Sequence, residues 1–436
     1  LDSKAITKIQ ALVLISIIVL VAASSVTVYI LLREQRQPYT TIKIGILGDL
    51  DAAMGKDSWQ ASVLAAEQIN AEGGILGREV EVIGEDTDSE SGLDVVKINT
   101  ALTRLITFHK VDFVVGIGGG DVGFGPQDTI AEHKKIMFSV GQTDAFTQRV
   151  LDDYDKYKYF FRVNFNHSSA FQGITDGLVL LREQTGFNKV GYLGEDVSGL
   201  KGIMEGLDYV LPEVYSFDLV YKGAFPPGTV DFSSYFAAAE ASGVEVLVPL
   251  IVLDDGIPFT KEWYDRASPL LVYGGVLLSA SDPESWDLLD GKCEDIAVSG
   301  LPLSVGYPMT TKTLSAREAY IDRWGSTPGW IGALFYDTIR FILPDAITRA
   351  GTIETEAVIE ELEKTSIETS NARNFVFTKS HDVLVGENPN NPEADFMLAV
   401  YFQWQNGEMV PVYPKKIMEE AGATLTFPDW PGPWDE

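Results

Sequence analysis

A chain of 436 residues, 45% of them hydrophobic, is long enough to bury two cores, because a single core stops growing well below this length. Its 63 acidic against 33 basic residues give a formal net charge of −30, a surface that repels phosphate backbones and excludes nucleic acid as a partner. The single cysteine, Cys293, excludes an intramolecular disulfide and leaves the compartment open.

The first predicted element is a hydrophobic helix within residues 1–37. Ala11 to Leu32 is a run of 22 residues without a charge, which at helical rise extends roughly 33 Å, enough to cross a bilayer. A cleaved secretory leader has a shorter apolar core, so the segment reads as retained, and Leu1 in place of Met reads as processing upstream. Lys4 and Lys8 on one side match Arg33 and Arg36 on the other, which leaves orientation open. Ala11, Ile15, Val19, Ala23, Val26 and Ile30 are the positions assigned to membrane or filament contact. The small residues Ala22 to Ser25 let a neighbouring helix approach closely.

A polar connector with Pro38 precedes the globular part. The pattern then alternates: strand 42–47, helix 58–71, strand 79–83, helix 93–107, strand 111–117, helix 126–133, strand 135–140. For helix 58–71 the expected cap is Asp57 or Ser58, with Trp59, Val63, Ala66 and Ile69 inward and Gly73-Gly74 at the end. Apolar strands between amphipathic helices predict parallel pairing with right-handed crossovers. A second series starts near 160, and its "KVGYLGED" (189–196) echoes "KIGILGD" (43–49) 146 residues earlier, which agrees with two similar α/β lobes. Strands near 217–222, 245–251 and 270–274 continue it. Helices near 313–325, 329–350 and 354–365 and strands near 373–378, 396–404 and 408–413 then suggest a return to each lobe in turn. The Pro- and Trp-rich tail reads as an irregular strap.

"GGGDVG" (118–123) fits a dinucleotide fingerprint with Asp144 downstream, but it follows the third strand and not the first. What remains is a glycine turn that lets a ligand approach backbone N–H groups, or simply a tight turn. His109, His133, His167 and His381 are scattered, so no metal site is assigned. No nucleophile elbow or Walker A stretch occurs, and neither a catalytic residue nor a cofactor is expected. "NHS" (166–168) fits a glycosylation triplet.

The stretch 42–89, above all "INAEGGILGREVEV", resembles the solute-binding proteins of branched-chain amino-acid ABC transporters, the type I periplasmic binding protein fold. Similar agreement recurs at "VDFVVGI", "YFFRVNF", "GTVDFSSYFAAAEASGVEVLV", "AYIDRWGSTPGWIGALFYDTIRFILPDAITRAG" and "FQWQNGEMVPVYPKK", covering about residues 40 to 415. The resemblance implies an α/β protein of two doubly wound, Rossmann-like lobes joined by three crossover strands and closing on a small ligand. The expected boundaries are 40–163 with 297–370 for lobe 1, 164–296 with 371–415 for lobe 2, and 416–436 for the strap.

Ligands of open α/β sheets sit beyond the carboxyl ends of the strands. The candidate ligand contacts are therefore Gly119, Gly120, Asp121, Gln142, Thr143, Asp144, Asn164, Ser198 and Asp255. The family's Ser or Thr in the 118–121 loop is replaced here by glycines and Asp121, and its second-lobe ring falls near Val197-Ser198. A carboxylate beside a ligand carboxylate is repulsive. The expectation is thus a polar solute such as an amine or amide, and not an ordinary branched-chain amino acid.

"AITKIQALVLISIIVLVAASSVTVYILL" (5–32) resembles the N-terminal helix of archaeal type IV pilins and archaellins. That resemblance implies processing before the hydrophobic stretch, a surface location, and self-association by helix bundling. The expected role is a surface-anchored solute-binding protein serving an ABC importer and its permease. The alternatives are a filament subunit with lost or altered binding, and a dinucleotide enzyme using the "GGGDVG" turn.

Overall fold

The computed structural model describes residues 41–87, 94–116 and 123–435. The opening hydrophobic segment, with Ala11, Ile15, Val19, Ala23, Val26 and Ile30, lies outside them. Among the described residues no helix is long and apolar enough to cross a membrane.

The first lobe grows around β1 (Ile42–Gly48), whose Ile42, Ile44, Ile46 and Leu47 are fully buried, as a strand covered on both faces demands. β1 is followed by α1 (Ala53–Ala71), β2 (Val80–Asp86), α2 (Val95–Arg104), β3 (Phe113–Gly116), α3 (Phe124–His133), β4 (Ile136–Ser139), α4 (Asp144–Asp152) and β5 (Phe160–Arg162). The strands form one parallel sheet in the order β2-β1-β3-β4-β5.

α1 begins well before the expected residue 58, and neither Asp57 nor Ser58 caps it. A Cβ on Gly55 would stand 1.7 Å from the Asp49 carbonyl oxygen, so glycine alone lets the first helical turn press onto the loop leaving β1. The buried face of α1 is built from small residues, Ala61, Ser62, Ala65 and Ala66, because it is pinched between the sheet and a second helix, Trp330–Asp337.

At Asn166 the chain enters α5 (His167–Thr185): the Asn166 side chain accepts the Ser169 N–H at 2.7 Å, and Gly186 at φ +81° ends the helix. The second lobe follows as β6 (Lys189–Glu195), α6 (Ser198–Glu213), β7 (Asp218–Phe225), α7 (Ser233–Ala241), β8 (Val246–Ile251), α8 (Gly256–Asp265), β9 (Leu271–Val272) and β10 (Val276–Leu277). Its sheet is also parallel, ordered β10-β8-β6-β7 with β9 on β8. The two echoing segments are thus equivalent strands: β1 is flanked by β2 and β3, and β6 by β7 and β8.

β11 (Ala297–Gly300) leads back to the first core, where α9 (Thr313–Trp324), α10 (Trp330–Asp337), α11 (Leu343–Ala350) and α12 (Thr355–Leu362) pack through Tyr320, Phe335, Ile347 and Leu362. β12 (Ser366–Ile367) and β13 (Phe375–Val376) pair antiparallel, and β14 (Val400–Gln405) and β15 (Glu408–Tyr413) join β11 in an antiparallel sheet.

The expected return to lobe 2 at residue 371 is too early. Ala372, Phe375, Phe377, Val383 and Met397 belong to the first core. Two polar anchors hold this stretch there. The buried Asp337 carboxylate accepts the backbone N–H groups of Ser370 and Asn371 at 3.0 and 3.1 Å, and His381 stacks on Phe161 at 4.0 Å between ring centroids. The last crossing therefore comes after Met397, and Tyr401 lies in the second core. Beyond β15, Leu425, Phe427 and Trp434 lie on that core, and Trp430 Nε1 donates to the Ser268 carbonyl at 2.8 Å.

Candidate functional site

The carboxyl ends of both parallel sheets open onto one cleft of about 850 Å³. α1 contributes Met54, Lys56, Asp57 and Gln60, and the loop after β4 contributes Val140, Gly141 and Gln142. α6 and the loop before it bring Val197 and Leu200, the segment after β10 brings Leu278, Ser281, Asp282 and Glu284, and the crossings bring Asn164, Phe165, Ser299 and Tyr401. Tyr320, Trp324, Thr327 and Trp330 close one end. The surface is mostly apolar and aromatic with a few oriented polar groups, the usual make-up of a small-molecule site.

Of the expected contacts, the structure brings Gln142 and Asn164 to the cleft. Asn164 is buried; its amide donates to the Val140 carbonyl at 2.9 Å, and its oxygen accepts from Trp330 Nε1 at 3.3 Å. It therefore ties the loop after β4 to the aromatic wall. The Gln142 carbonyl accepts from Arg162 at 3.0 Å and from the His167 N–H at 2.8 Å. Arg162, fully buried, also donates to the Thr143 carbonyl at 2.5 Å and pairs with Asp382 at 3.1 Å, so it shapes this loop from beneath. Burial holds the Arg162 guanidinium below its ordinary value, and the Asp382 and Asp144 charges oppose the shift.

Thr143, Asp144 and Asp255 do not line the cleft. The Asp144 carboxylate accepts the Ser168 N–H at 3.3 Å, an internal anion at the start of α5. Asp255 accepts the Gly228 N–H with both oxygens, at 3.1 and 2.8 Å, and holds the loop after β7. Beside it the buried Glu195 accepts the N–H groups of Val252 and Leu253 at 2.8 and 3.2 Å, and burial raises its carboxyl above the ordinary value. Ser198 opens α6, while its side chain lies outside the described residues, as do Gly119, Gly120 and Asp121.

The residues missed in the sequence are those at the acidic end. Asp57, read there as a helix cap, accepts from Tyr320 Oη at 2.8 Å, the Gly329 N–H at 3.1 Å and the Gly332 N–H at 2.6 Å. Burial raises its carboxyl, against the pull of those donors. Asp282 is pushed up to about 6 by burial, opposed by the Glu284 N–H and the Thr327 hydroxyl, with the Glu284 and Asp57 charges adding to the rise. His167, at the first turn of α5, is held below its ordinary value by burial. Among the described residues no group of three or more His, Cys, Asp or Glu is spaced to hold a metal ion.

Comparison with known proteins agrees with this architecture. The family model described as "Periplasmic binding protein" matches residues 41–385. A Brucella melitensis protein named Leu/Ile/Val-binding protein homolog 8 is 23% identical over 376 residues, covering 84% of this chain and 87% of its own. The substrate binding protein LivJ of Streptococcus pneumoniae, solved with isoleucine, superposes with a TM-score of 0.68 at 20% identity, over 85% of this chain and 99% of its own. An R. palustris ABC-transporter solute binding protein, solved with benzoate, gives 0.67 at 13% identity, over 85% and 95%. At such identities the solved structures speak for the fold alone. The chain belongs to the periplasmic binding protein family.

Proposed function

We propose that this chain is an extracytoplasmic solute-binding protein that captures a small polar metabolite between its lobes for an ABC importer. The observation that carries this reading is the cleft itself: two parallel sheets present their carboxyl ends to one cavity of about 850 Å³, lined by Asn164, Gln142 and aromatic rings. Among the described residues of the cleft no side chain is arranged as a nucleophile with its base. The relatives' ligands, isoleucine in one and benzoate in another, differ in charge, which supports a fold that accepts different solutes by changing loops. Asp121 in the glycine turn remains the proposed reason for a preference away from ordinary branched-chain amino acids. Isothermal titration with leucine tests this: tight binding that survives Asp121→Ala would remove that preference.

The hydrophobic run at 5–32 favours a tether in the membrane, with bundling into a surface filament as the second reading. Electron microscopy of material sheared from cells, with the N-terminal peptide identified by mass spectrometry, separates the two. Filaments containing this chain support bundling, and release by detergent alone supports a tether.

A further inference from the structure

Two carboxyl groups of the second lobe meet where its strands end. Glu195, at the carboxyl end of β6, is fully buried, and its Oε2 accepts the Val252 and Leu253 N–H groups at 2.8 and 3.2 Å. Its Oε1 is equally buried and meets no hydrogen-bond donor. The Asp255 carboxyl, also buried, stands in hydrogen-bond contact with Glu195, and both its oxygens accept the Gly228 N–H, at 3.1 and 2.8 Å. Two ionised carboxylates only accept, so they cannot bond to each other, and buried charges of one sign repel. One proton shared between them supplies the missing donor and removes one charge.

The surroundings hold no substitute for that proton. Among the described residues no ion pair reaches Glu195 or Asp255, and the nearby charges are engaged elsewhere or face solvent. Asp196 pairs with Lys201 of α6 at 3.1 Å, and Lys261 of α8 faces Asp290 at 3.9 Å. Glu262 of α8 accepts the Phe232 N–H at 2.8 Å, Asp231 accepts from Ser233, and Asp254 is exposed. The contact ties together the end of β6, the loop after β7 through Gly228, and the loop after β8 through Val252 and Leu253. Val197 and Val252 of these segments line the cleft. We propose that a proton shared by Glu195 and Asp255 locks these three segments, and that its loss loosens the second-lobe wall of the cleft. The solute site thereby depends on pH, a regulation that rests on the solute-capture reading. Burial raises the Glu195 carboxyl above its ordinary 4.5; the Val252 and Leu253 N–H groups oppose the rise and the Asp255 charge adds to it. The lock is therefore complete below the ordinary value and is lost as pH rises through the raised one.

Hydrogen exchange of the full chain, read by mass spectrometry with no solute added, tests it. From about pH 5 to about pH 9, after correction for the intrinsic rate, exchange at 226–231 and 251–257 should rise about fivefold or more in the wild type. Glu195→Gln and Asp255→Asn each place an amide donor where the proton sits, so both should keep exchange slow across the range. The two variants guard each other against misfolding. No rise in the wild type, or the same rise in a folded variant, would overturn the proposal. So would slow exchange at the alkaline end that appears only with added calcium and vanishes with a chelator, since a metal ion would then join the carboxylates. No solute enters the measurement, so failure of the lock and failure of solute capture are told apart.

Discussion

Asp57 of α1 and Gly332 of α10, 275 residues apart in sequence, are joined by a hydrogen bond of 2.6 Å from the glycine N–H to the carboxylate. A Cβ on Gly332 would stand 2.3 Å from Asp57 Oδ1, so the contact needs both residues as they are. It docks the start of α10 on α1 and sets Trp330 at the cleft wall.

Asp57→Ala should accordingly destabilise the fold by about 2–4 kcal/mol, because it strands the buried donors of Gly329, Gly332 and Tyr320. Urea unfolding measures the loss. Gly332→Ala should act in the same direction through the clash, and a neutral result for either would contradict the docking role.

The elevated Asp282 carboxyl gives a signed pH dependence. Unfolded, it titrates near 3.8; folded, near about 6. Between those values the native state holds a proton that the unfolded chain has released. Stability from this group is therefore fully present below the lower value and is lost as pH rises through the upper one. Asp282→Asn should flatten the fall in unfolding free energy over this window, by up to about 3 kcal/mol. Equal pH profiles for the two proteins would contradict it.

Arg162→Met should be among the most damaging single changes, costing about 3–5 kcal/mol, because it leaves Asp382 buried without its cation and frees the Gln142 and Thr143 carbonyls. Ligand affinity should fall as well, since Gln142 lines the cleft. Thermal melting and titration of the same preparation separate the two effects.

Glu195→Gln should cost little, within about 1 kcal/mol, because the amide oxygen can still accept the Val252 and Leu253 N–H groups and the change removes a buried charge beside Asp255. Asp255→Ala should cost more, since Gly228 loses its acceptor. The reverse order in chemical denaturation would contradict this division of roles.

Much of the architecture was legible because alternating strands and helices constrain pairing: every expected strand of the first sheet lies within a few residues of an observed one. Two features were not. The start of α1 was misplaced because its determinant is Gly55 packing on Asp49, a contact that caps do not report. The last crossing was misplaced because Asp337 and His381 hold 370–382 on the first lobe through side chains distant in sequence. In the site, Gln142 and Asn164 were reachable from the rule that ligands meet strand ends. Asp57, Asp282, Tyr320 and Trp330 come from four separate segments and share no local pattern, so only the folded chain shows them together.

The most direct test of solute capture is native mass spectrometry of the full chain against a metabolite library, with Trp330→Ala in parallel. The account predicts a one-to-one complex with a small solute that is weakened by the variant. Wild type that retains no member of the library, and does not differ from Trp330→Ala, would contradict it.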